Sequence, residues 1–550
     1  MRSRDPEAAR EEAASGQPGP LLDGRQGPPT PLLLVVFGVV GFAMTFRSIG
    51  RLDTHVVGDS GDAILIQWTL GWVQHAIPHG WSTIWNTNIF FPAHDTLAYA
   101  DALIPVAIAH WPLAEVLGPV LGFNLLLLAA ETAGLWCMYR LALRLTGSWP
   151  ASFVAAFAFA FATPRLQLVW HPQLMVTGFF VPLIMLLVVR FFDRPTATRG
   201  TAIGVALGLL AASSSYYGAM MAVAVPVVAL GYLIVVRPPA LARVLKGLAT
   251  GAVVAAVITL PVALRYIDLQ QDPHFRRGVE PAFQAQPRDF VSPVPDNLVL
   301  AEIPPFDGWA ARGGVESHLF PGIIAVVFGA IGLVVVLRVV RRRSPAGVGP
   351  GSADDERHNA VLALLIALAG LVLLVLALGD TLAIFGMEIP MPFRLVRKVI
   401  PGFTGIRVTS RFVLMTQCAL ALLAAFGVRA LLARLDRRIA LVAVALLSVL
   451  IVVETARELP MVRVPGGQRV EAVNEVLKRR PSGVVVELPI TSVADGVRWA
   501  YLESPRQYLS LIDTKPRVNG YSGFEPKGFD RLVDRLNTFP SRASLQKYFP

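Results

Sequence analysis

The feature that most constrains this fold is a series of long apolar stretches that runs through most of the chain. A helix needs about 20 mostly apolar residues to cross a hydrocarbon core of about 30 Å. Eleven candidates occur, near 31–50, 121–143, 149–163, 173–192, 201–215, 217–236, 244–265, 319–338, 359–379, 411–432 and 439–455. With 54% hydrophobic and only 16% charged residues, the chain is far more apolar than an average soluble domain. We therefore predict an all-α polytopic membrane protein with about eleven transmembrane helices.

The first apolar stretch is expected to remain as an anchor. An acidic, Pro- and Gly-rich segment precedes it, and no small-residue cleavage site of a signal peptide follows. We predict a disordered cytoplasmic tail over 1–30, a multi-span membrane domain over 31–455, and a small extracytoplasmic α/β domain over 456–550. In that last domain, 484–489 is predicted as a buried strand and 529–537 as a helix. A Pro-, Gly- and acid-rich linker at 344–358 divides the membrane domain.

Arginine and lysine positions predict the orientation, because short loops rich in these residues stay on the cytoplasmic side of the membrane. We expect that membrane to be the plasma (inner) membrane. With the N-terminus inside, the inner loops contain the basic clusters around 140–144, 190–199, 237–246, 338–343 and 429–438. The net charge of +11 is explained by these loops, so no nucleic-acid partner is expected.

The same orientation places three large loops on the extracytoplasmic side, at 51–120, 266–318 and 380–410. It requires the proline-broken stretch 102–119 to lie along the membrane surface or dip into it. The loop at 380–410 is unexpectedly basic for this side, which suggests that its cations meet an anion.

The cysteines and the scattered acids give no metal site. Cys137 and Cys418 both fall in predicted spans, where small buried apolar residues are expected, so no disulfide or metal framework is implied. A divalent cation between outer-loop carboxylates stays open as a cofactor, since hard cations take oxygen ligands. No spacing requires one, and we assign no metal ligand.

The first outer loop opens with Gly58-Asp59-Ser60-Gly61-Asp62, in which glycines permit tight turns that aim a carboxylate. The following apolar run to Val73 predicts an amphipathic interfacial helix that Asp62 caps. Asp59 has no such structural duty, so we interpret it as a general base and Asp62 as a second acid or cap. The alternative is that both acids only form the turn.

Polar and aromatic residues further along this loop suit a sugar, whose ring has an apolar face and a hydroxyl edge. Trp85, Asn88 and His94 are the weak substrate-binding candidates, together with Glu316 just before a later span. Aromatic residues also collect at membrane interfaces, and this is the competing explanation for each tryptophan.

Several motifs together resemble bacterial membrane glycosyltransferases of the GT-C superfamily. They are Gly58-Asp59-Ser60-Gly61-Asp62, Phe90-Phe91-Pro92, Leu97-Ala98-Tyr99, Phe123-Asn124-Leu125-Leu126, Ala162-Thr163-Pro164-Arg165 with His171, Pro401-Gly402-Phe403 with Arg407 and Ser410-Arg411-Phe412, and Val518–Phe524. The resemblance covers nearly the whole chain. By comparison with that family, the C-terminal domain ends early, which predicts a truncated version of it.

The resemblance implies a transferase that uses a polyprenyl-phosphate sugar donor, with Asp59 deprotonating the acceptor hydroxyl for an inverting attack. The acceptor would be a cell-envelope glycan, lipid or protein. Cations must stabilise the departing lipid phosphate, and arginine grips phosphate oxygens in a bidentate way. Arg407 and Arg411 are the first candidates for this role, followed by Arg165 and His171. Snorkelling of Arg411 and an ordinary interfacial role for His171 are the competing interpretations.

Two other functions remain open. A transporter or flippase for lipid-linked sugars would need charged or broken helices at mid-membrane and an internal repeat. The sequence shows no convincing repeat and few central charges. A non-catalytic membrane scaffold with the same architecture is the other alternative.

Overall fold

A computed structural model describes residues 27–46, 49–310, 316–342, 352–384, 387–400 and 402–539. The predicted tail up to residue 26, most of the predicted linker (343–351) and Pro401 of the Pro-Gly-Phe motif lie outside the described residues. So do residues 540–550.

Eight helices in the described part of the chain are long and apolar enough to cross a membrane, as expected of a polytopic membrane protein. They are Pro119–Thr146, Pro172–Asp193, Ser215–Val236, Leu241–Leu269, Ile323–Arg341, Asp354–Ala377, Ser410–Leu432 and Arg437–Thr455. A helix pair, Trp149–Ala160 and Thr163–Trp170, is bent by 44° and would make a ninth span if it crosses as one unit.

The three other stretches of the eleven-span prediction form less than a full-length helix. Thr30–Thr45 and Ala197–Ser213 are apolar but short, and 149–163 is the first part of the bent pair. The proline-broken stretch contains the helix Ile104–Leu117, with Pro112 inside it. It ends at Gly118, whose φ of +83° favours glycine.

Contacts between distant segments place the connections of the bundle at two ends. One end, here called the loop end, contains 49–118, 270–310, 380–384, 387–400, 402–409 and the segment after 456, which are joined by contacts such as Asp101 with Ser215, Gln270 with Thr404 and Asn297 with Glu454. The strand His55–Val57 pairs there with Met461–Arg463 in an antiparallel register that sets Val56 opposite Val462. A second hairpin pairs Thr381–Ile384 with Met387–Pro390. The opposite end, called the arginine end, contains the short basic connections.

The span Ser410–Leu432 lies at the centre of the bundle, with 89% of its apolar window buried. It packs closely on Ile323–Arg341 because glycines face each other. A Cβ atom at Gly332 would collide with the carbonyl group of Leu423, so only glycine fits there. This packing fixes the position of the residues that begin the central span at the loop end.

The helix after the first-loop aspartates, Asp62–Ala76, differs from the prediction. Nearly every residue from Ala63 to Val73 is buried, on all sides of the helix. The prediction of an amphipathic interfacial helix was therefore wrong. The protein covers this helix with other loop-end segments, including the helix Val497–Leu509.

The C-terminal segment contains three helices, Gln468–Lys478, Val497–Leu509 and Phe529–Asn537. The last lies where a helix was predicted. The buried strand predicted at 484–489 was wrong: Val485 makes an isolated parallel bridge to Arg517, and Val484, Val486 and Leu488 are exposed. Their apolarity alone suggested burial. Short helices at Trp81–Trp85, Phe306–Ala310 and Phe393–Val399 complete the loop end.

Candidate active site

The candidate site begins at the turn that Gly58 opens with a φ of +123°. The Oδ1 atom of Asp59 accepts hydrogen bonds from the backbone N–H groups of Gly61 and Asp62, each at 3.0 Å. Asp59 therefore satisfies two backbone donors at the start of the helix. The expectations that Asp62 caps this helix and that Asp59 has no structural duty were both wrong. In the described part of the chain, the Oδ2 atom of Asp59 has no hydrogen-bond partner.

Asp62 instead lies at one end of a hydrogen-bonded network that ends at Arg411. Its Oδ1 atom accepts the hydroxyl proton of Tyr521 at 2.7 Å, and its Oδ2 atom lies 2.7 Å from Nδ1 of His171. The other ring nitrogen, Nε2, lies 3.1 Å from Oε1 of Glu316. The same glutamate oxygen accepts from Nη2 of Arg411 at 2.6 Å and from its Nε atom at 3.2 Å. We call these five residues the Asp62–Arg411 network.

His171 is held as a cation in this network, because both of its ring nitrogens face carboxylate oxygens and only the protonated ring donates twice. Burial and Arg411 lower the pKa of His171, but the hydrogen bonds that its ring donates to Asp62 and Glu316 outweigh them and raise it. Burial raises the pKa of Glu316, while Arg411 and His171 together lower it to about 2. In the same way, His171 and Tyr521 overcome the effect of burial and lower the pKa of Asp62.

The pKa of Asp59 moves in the opposite direction from that of Asp62. Burial raises it, and the adjacent negative charge of Asp62 raises it further, although the two backbone hydrogen bonds oppose the change. A carboxylate with a raised pKa and one open oxygen is suited to take a proton from a bound hydroxyl group. The two aspartates thus have different environments only three positions apart.

Cationic and aromatic side chains surround the network. The guanidinium of Arg411 lies 4.5 Å from the ring centre of Tyr216. Arg407 lies 5.1 Å from the ring of Phe283 and 3.7 Å from Glu280, a long ion pair.

Arg277 and Asp101 also belong to this surrounding and were not predicted. The guanidinium of Arg277 stacks 4.0 Å from the ring of Phe524, and burial together with nearby Arg407 lowers its pKa to about 10. Asp101 accepts from the backbone N–H and hydroxyl groups of Ser215 at 3.0 and 2.7 Å, and burial raises its pKa.

Sequence reasoning missed these residues for different reasons. Tyr521 lay inside a quoted motif but received no role, and Asp101 and Arg277 resembled ordinary solvated loop charges. Each lies far in sequence from the residues it joins, so no local pattern indicated the contact.

The structure brings together only some of the predicted site residues. Asp59, Asp62, His171, Glu316 and Arg411 converge at the loop end. Arg407 lies near them, within electrostatic range of Tyr521, whose pKa is raised by burial and by Asp62. His171 binds two carboxylates, so it is committed to the network and not free to bind a phosphate directly.

The remaining candidates lie elsewhere. Arg165 is only 1% exposed and pairs with Glu131, which is 2% exposed, so no donor phosphate can reach it in this conformation. The ring of Trp85 is fully buried against Tyr266. Asn88 is buried as well and donates to the hydroxyl oxygen of Ser510 at 2.9 Å.

His94 lies on the exposed surface of the first loop. Within the described residues no group of three or more His, Cys, Asp or Glu side chains is arranged to hold a metal ion. Cys137 and Cys418 are buried and form no disulfide with each other.

A family model described as a domain of unknown function, DUF6311, matches residues 34–453. The chain belongs to the DUF6311 family. No curated protein matches this DUF6311 chain significantly.

Two solved glycosyltransferases share the fold of this DUF6311 protein. The oligosaccharyltransferase of Archaeoglobus fulgidus, tethered to an acceptor peptide, superposes with a TM-score of 0.53 at 13% identity, over 92% of this chain and 68% of that one. The arabinofuranosyltransferase AftD from Mycobacteria gives 0.55 at 15% identity, over 94% of this chain. The DUF6311 chain spans about a third of AftD, 34%. At these identities the likeness shows the fold alone, and it agrees with the helical membrane architecture expected from the sequence.

Proposed function

We propose that this protein is an inverting glycosyltransferase that moves a sugar from a polyprenyl-phosphate donor to an acceptor hydroxyl group on the extracytoplasmic face. The observation that carries the proposal is the open carboxylate oxygen of Asp59 beside the Asp62–Arg411 network at the loop end. The fold shared with two glycosyltransferases supports it. The acceptor is a cell-envelope glycan, lipid or protein.

In the proposed reaction, Oδ2 of Asp59 takes the proton of the acceptor hydroxyl group. The acceptor oxygen forms a bond to the anomeric carbon as the bond from that carbon to the phosphate oxygen breaks. The electron pair leaves with the lipid phosphate, and the configuration at the anomeric carbon inverts. The raised pKa of Asp59 suits this step, because a base accepts a proton more readily as its pKa approaches the working pH.

Positive charge for the leaving phosphate comes from the arginines of the basic loop. Glu316 already offsets much of the charge of Arg411. Arg407 is less compensated, since its ion pair with Glu280 is 3.7 Å long and both partners are partly exposed. We assign the principal phosphate contact to Arg407, and to Arg411 the role of fixing the network beside it. Fixed cations of this kind stabilise charge that develops in a transition state.

A transporter or flippase of lipid-linked sugars is the second candidate. The bent helix pair and the buried Glu131–Arg165 ion pair are the features that favour it, since transporters use broken helices and charges at mid-membrane. The ion pair is nearly inaccessible, however, so among the described residues it faces no open pathway. Movement of an intact labelled lipid-linked sugar across the membrane of vesicles, without loss of its sugar, would support this candidate.

The catalytic proposal is tested by sugar transfer from a polyprenyl-phosphate donor in vesicles containing the full chain. Asp59→Asn should lower turnover at least about 100-fold, the usual contribution of a general base. Asp53→Asn is the matched control, because Asp53 is an exposed aspartate of the same loop. Near-normal turnover of Asp59→Asn with normal folding would remove the general-base role.

The sidedness of the site is tested separately. Both native cysteines are buried, so single cysteines introduced by Ser60→Cys and Leu395→Cys should give low-background labelling. We expect an impermeant thiol reagent to label both from the extracytoplasmic side. Labelling of either position only from the cytoplasm would place the first outer loop and the basic loop on opposite sides of the membrane.

A further inference from the structure

Three arginines converge at the arginine end, far from the candidate active site. Arg140 comes from the last part of the helix Pro119–Thr146, Arg190 from the last turn of Phe180–Asp193, and Arg199 from the start of Ala197–Ser213. Arg190 lies within electrostatic range of both other guanidinium groups. Like charges repel, so their convergence from three helices is unfavourable unless something compensates it.

An acid beside this cluster, Asp193, is already engaged. Asp193 receives two hydrogen bonds from Arg144, at 2.8 Å from Nε and 2.5 Å from Nη2. Arg199 donates to backbone carbonyl oxygens of Arg190 and Arg194. Arg140 stacks on the ring of Trp136, with 5.2 Å between guanidinium carbon and ring centre. Among the residues that the structure describes, neither Arg140 nor Arg190 has a carboxylate within ion-pair distance.

A cleft adjoins these arginines and has two chemically different parts. Its volume is about 390 Å³, and it is lined by Arg144, Arg190, Asp193, Arg199, Leu187 and Ala202. Leu187 precedes Arg190 by one helical turn, and Ala202 follows Arg199 by one turn, so both lie deeper in the bundle. The charged groups therefore surround the mouth of the cleft, at the helix ends, and the apolar groups lie on the side of the bilayer core.

We propose that this cleft binds the phosphate-bearing headgroup of an anionic phospholipid. The lipid phosphate would lie against Arg190 at the mouth of the cleft, within electrostatic range of Arg140, and the first carbons of an acyl chain would cover Leu187 and Ala202. Basic clefts between helix ends at a membrane interface suit this ligand, because arginine offers bidentate donors to phosphate and the adjoining apolar wall accepts the chain. The site does not depend on the proposed sugar transfer.

A topology signal alone explains positive charge at this end but not its arrangement. Such a signal requires arginines in the short loops, wherever they point. Arg429 at the same end is paired, lying 3.5 Å from Glu356. The cluster, which Asp193 balances only in part, is next to a cleft with an apolar wall, and that combination favours a lipid over a counter-ion in solution.

The test is native mass spectrometry of the full chain in detergent, titrated with phosphatidylglycerol or phosphatidylcholine. We expect phosphatidylglycerol to remain bound and phosphatidylcholine to dissociate. Arg190→Gln should weaken phosphatidylglycerol binding about five- to tenfold, and Arg140→Gln with Arg190→Gln should weaken it further. Arg434→Gln, an exposed arginine at the same end, is the matched control and should bind like the wild type.

Several outcomes would overturn the proposal. Equal retention of both lipids, or equal weakening by Arg434→Gln, would reduce the cluster to general surface charge. Displacement of the lipid by millimolar inorganic phosphate would indicate a site for a free anion. If Arg190→Gln does not fold, Arg140→Gln alone decides the question, because Arg140 makes no hydrogen bond that the structure describes. Unchanged lipid binding by the Arg140→Gln variant would then contradict the assignment.

Discussion

Two buried glutamate–arginine ion pairs in the described part of the chain have different surroundings. Glu131 and Arg165 are 2% and 1% exposed, and Glu316 and Arg411 are 5% and 6% exposed. The Glu131–Arg165 pair is enclosed by packed helices. The second continues through His171, which is 19% exposed, to an aspartate that is 25% exposed. An acid–arginine pair therefore indicates chemistry only when it connects to groups that a substrate can reach.

Packing around the first pair explains why it is closed. A Cβ atom at Gly178 would lie 3.2 Å from Nε of Arg165, and one at Gly134 would lie 3.3 Å from its Nη2 atom. Glycine leaves room for the guanidinium between the helices, and nothing larger fits without a shift. Such a pair holds helices together, and its loss leaves a buried charge without a partner.

The largest expected effect is therefore on stability. Arg165→Leu leaves Glu131 buried and unpaired, and should lower the free energy of unfolding by about 3–5 kcal/mol. Glu131→Leu combined with Arg165→Leu should recover most of that loss, since no buried charge remains. Equilibrium unfolding in detergent measures both. Equal losses for the single and the double variant would show that packing, and not charge, dominates at this pair.

At the second pair the expected effect is on turnover. Glu316→Gln removes the negative charge between His171 and Arg411 and weakens hydrogen bonds to charged groups, each worth about 1.5–3 kcal/mol. Sugar transfer should fall about 10- to 100-fold, because about 1.4 kcal/mol corresponds to a factor of ten. Glu302→Gln, at an exposed position of the same loop, is the control. Loss of folding without a specific loss of turnover would place Glu316 with the structural pair instead.

Hydropathy predicted most of the helical architecture, since burial in lipid requires long apolar runs. The errors of this prediction concern burial, which depends on contacts between segments that are distant in sequence. The helix Asp62–Ala76 is covered by protein and not by an interface, and Val484, Val486 and Leu488 are apolar yet exposed.

The candidate site was predictable only in part. The motif around Asp59 and the basic loop around Arg411 indicated two halves of it. Which acid would accept the backbone hydrogen bonds depended on a local turn geometry that Asp59 and Asp62 fit equally well in sequence. Arg165 could not be separated from Arg411, because its partner, Glu131, lies on another helix.

The pH dependence of transfer provides a finer test of the network. The rate should rise as Asp59 loses its proton, at a higher pH than for an ordinary aspartate, because burial and Asp62 raise its pKa. It should fall again as His171 loses its proton, above the usual range of histidine, because its pKa is raised.

Asp62→Asn should move both the rise and the fall of this profile to lower pH. The pKa of Asp59 falls because a repelling negative charge is lost, and the pKa of His171 falls because an attracting one is lost. The pH profile of transfer under saturating donor measures the shifts. A rise and a fall at unchanged pH would show that Asp62 does not act on either group during turnover.

The smallest expected effect concerns Tyr521, which donates one hydrogen bond to Asp62 at 2.7 Å. Tyr521→Phe removes that bond and keeps the ring, which also contacts Trp499. A hydrogen bond of this kind is worth about 0.5–1.5 kcal/mol, so turnover should fall about two- to tenfold. A loss as large as that of Asp59→Asn would give Tyr521 a more direct role than positioning.

The most direct test compares the two ion-pair regions in one transfer assay, with turnover normalised to folded protein. Asp59→Asn changes the open site, and Glu131→Leu with Arg165→Leu changes the closed pair. We expect the first variant to lose at least about 100-fold in turnover and the second to stay within a few-fold of the wild type. Normal turnover of Asp59→Asn, with loss of turnover in the folded double variant, would contradict the assignment of chemistry to the loop end.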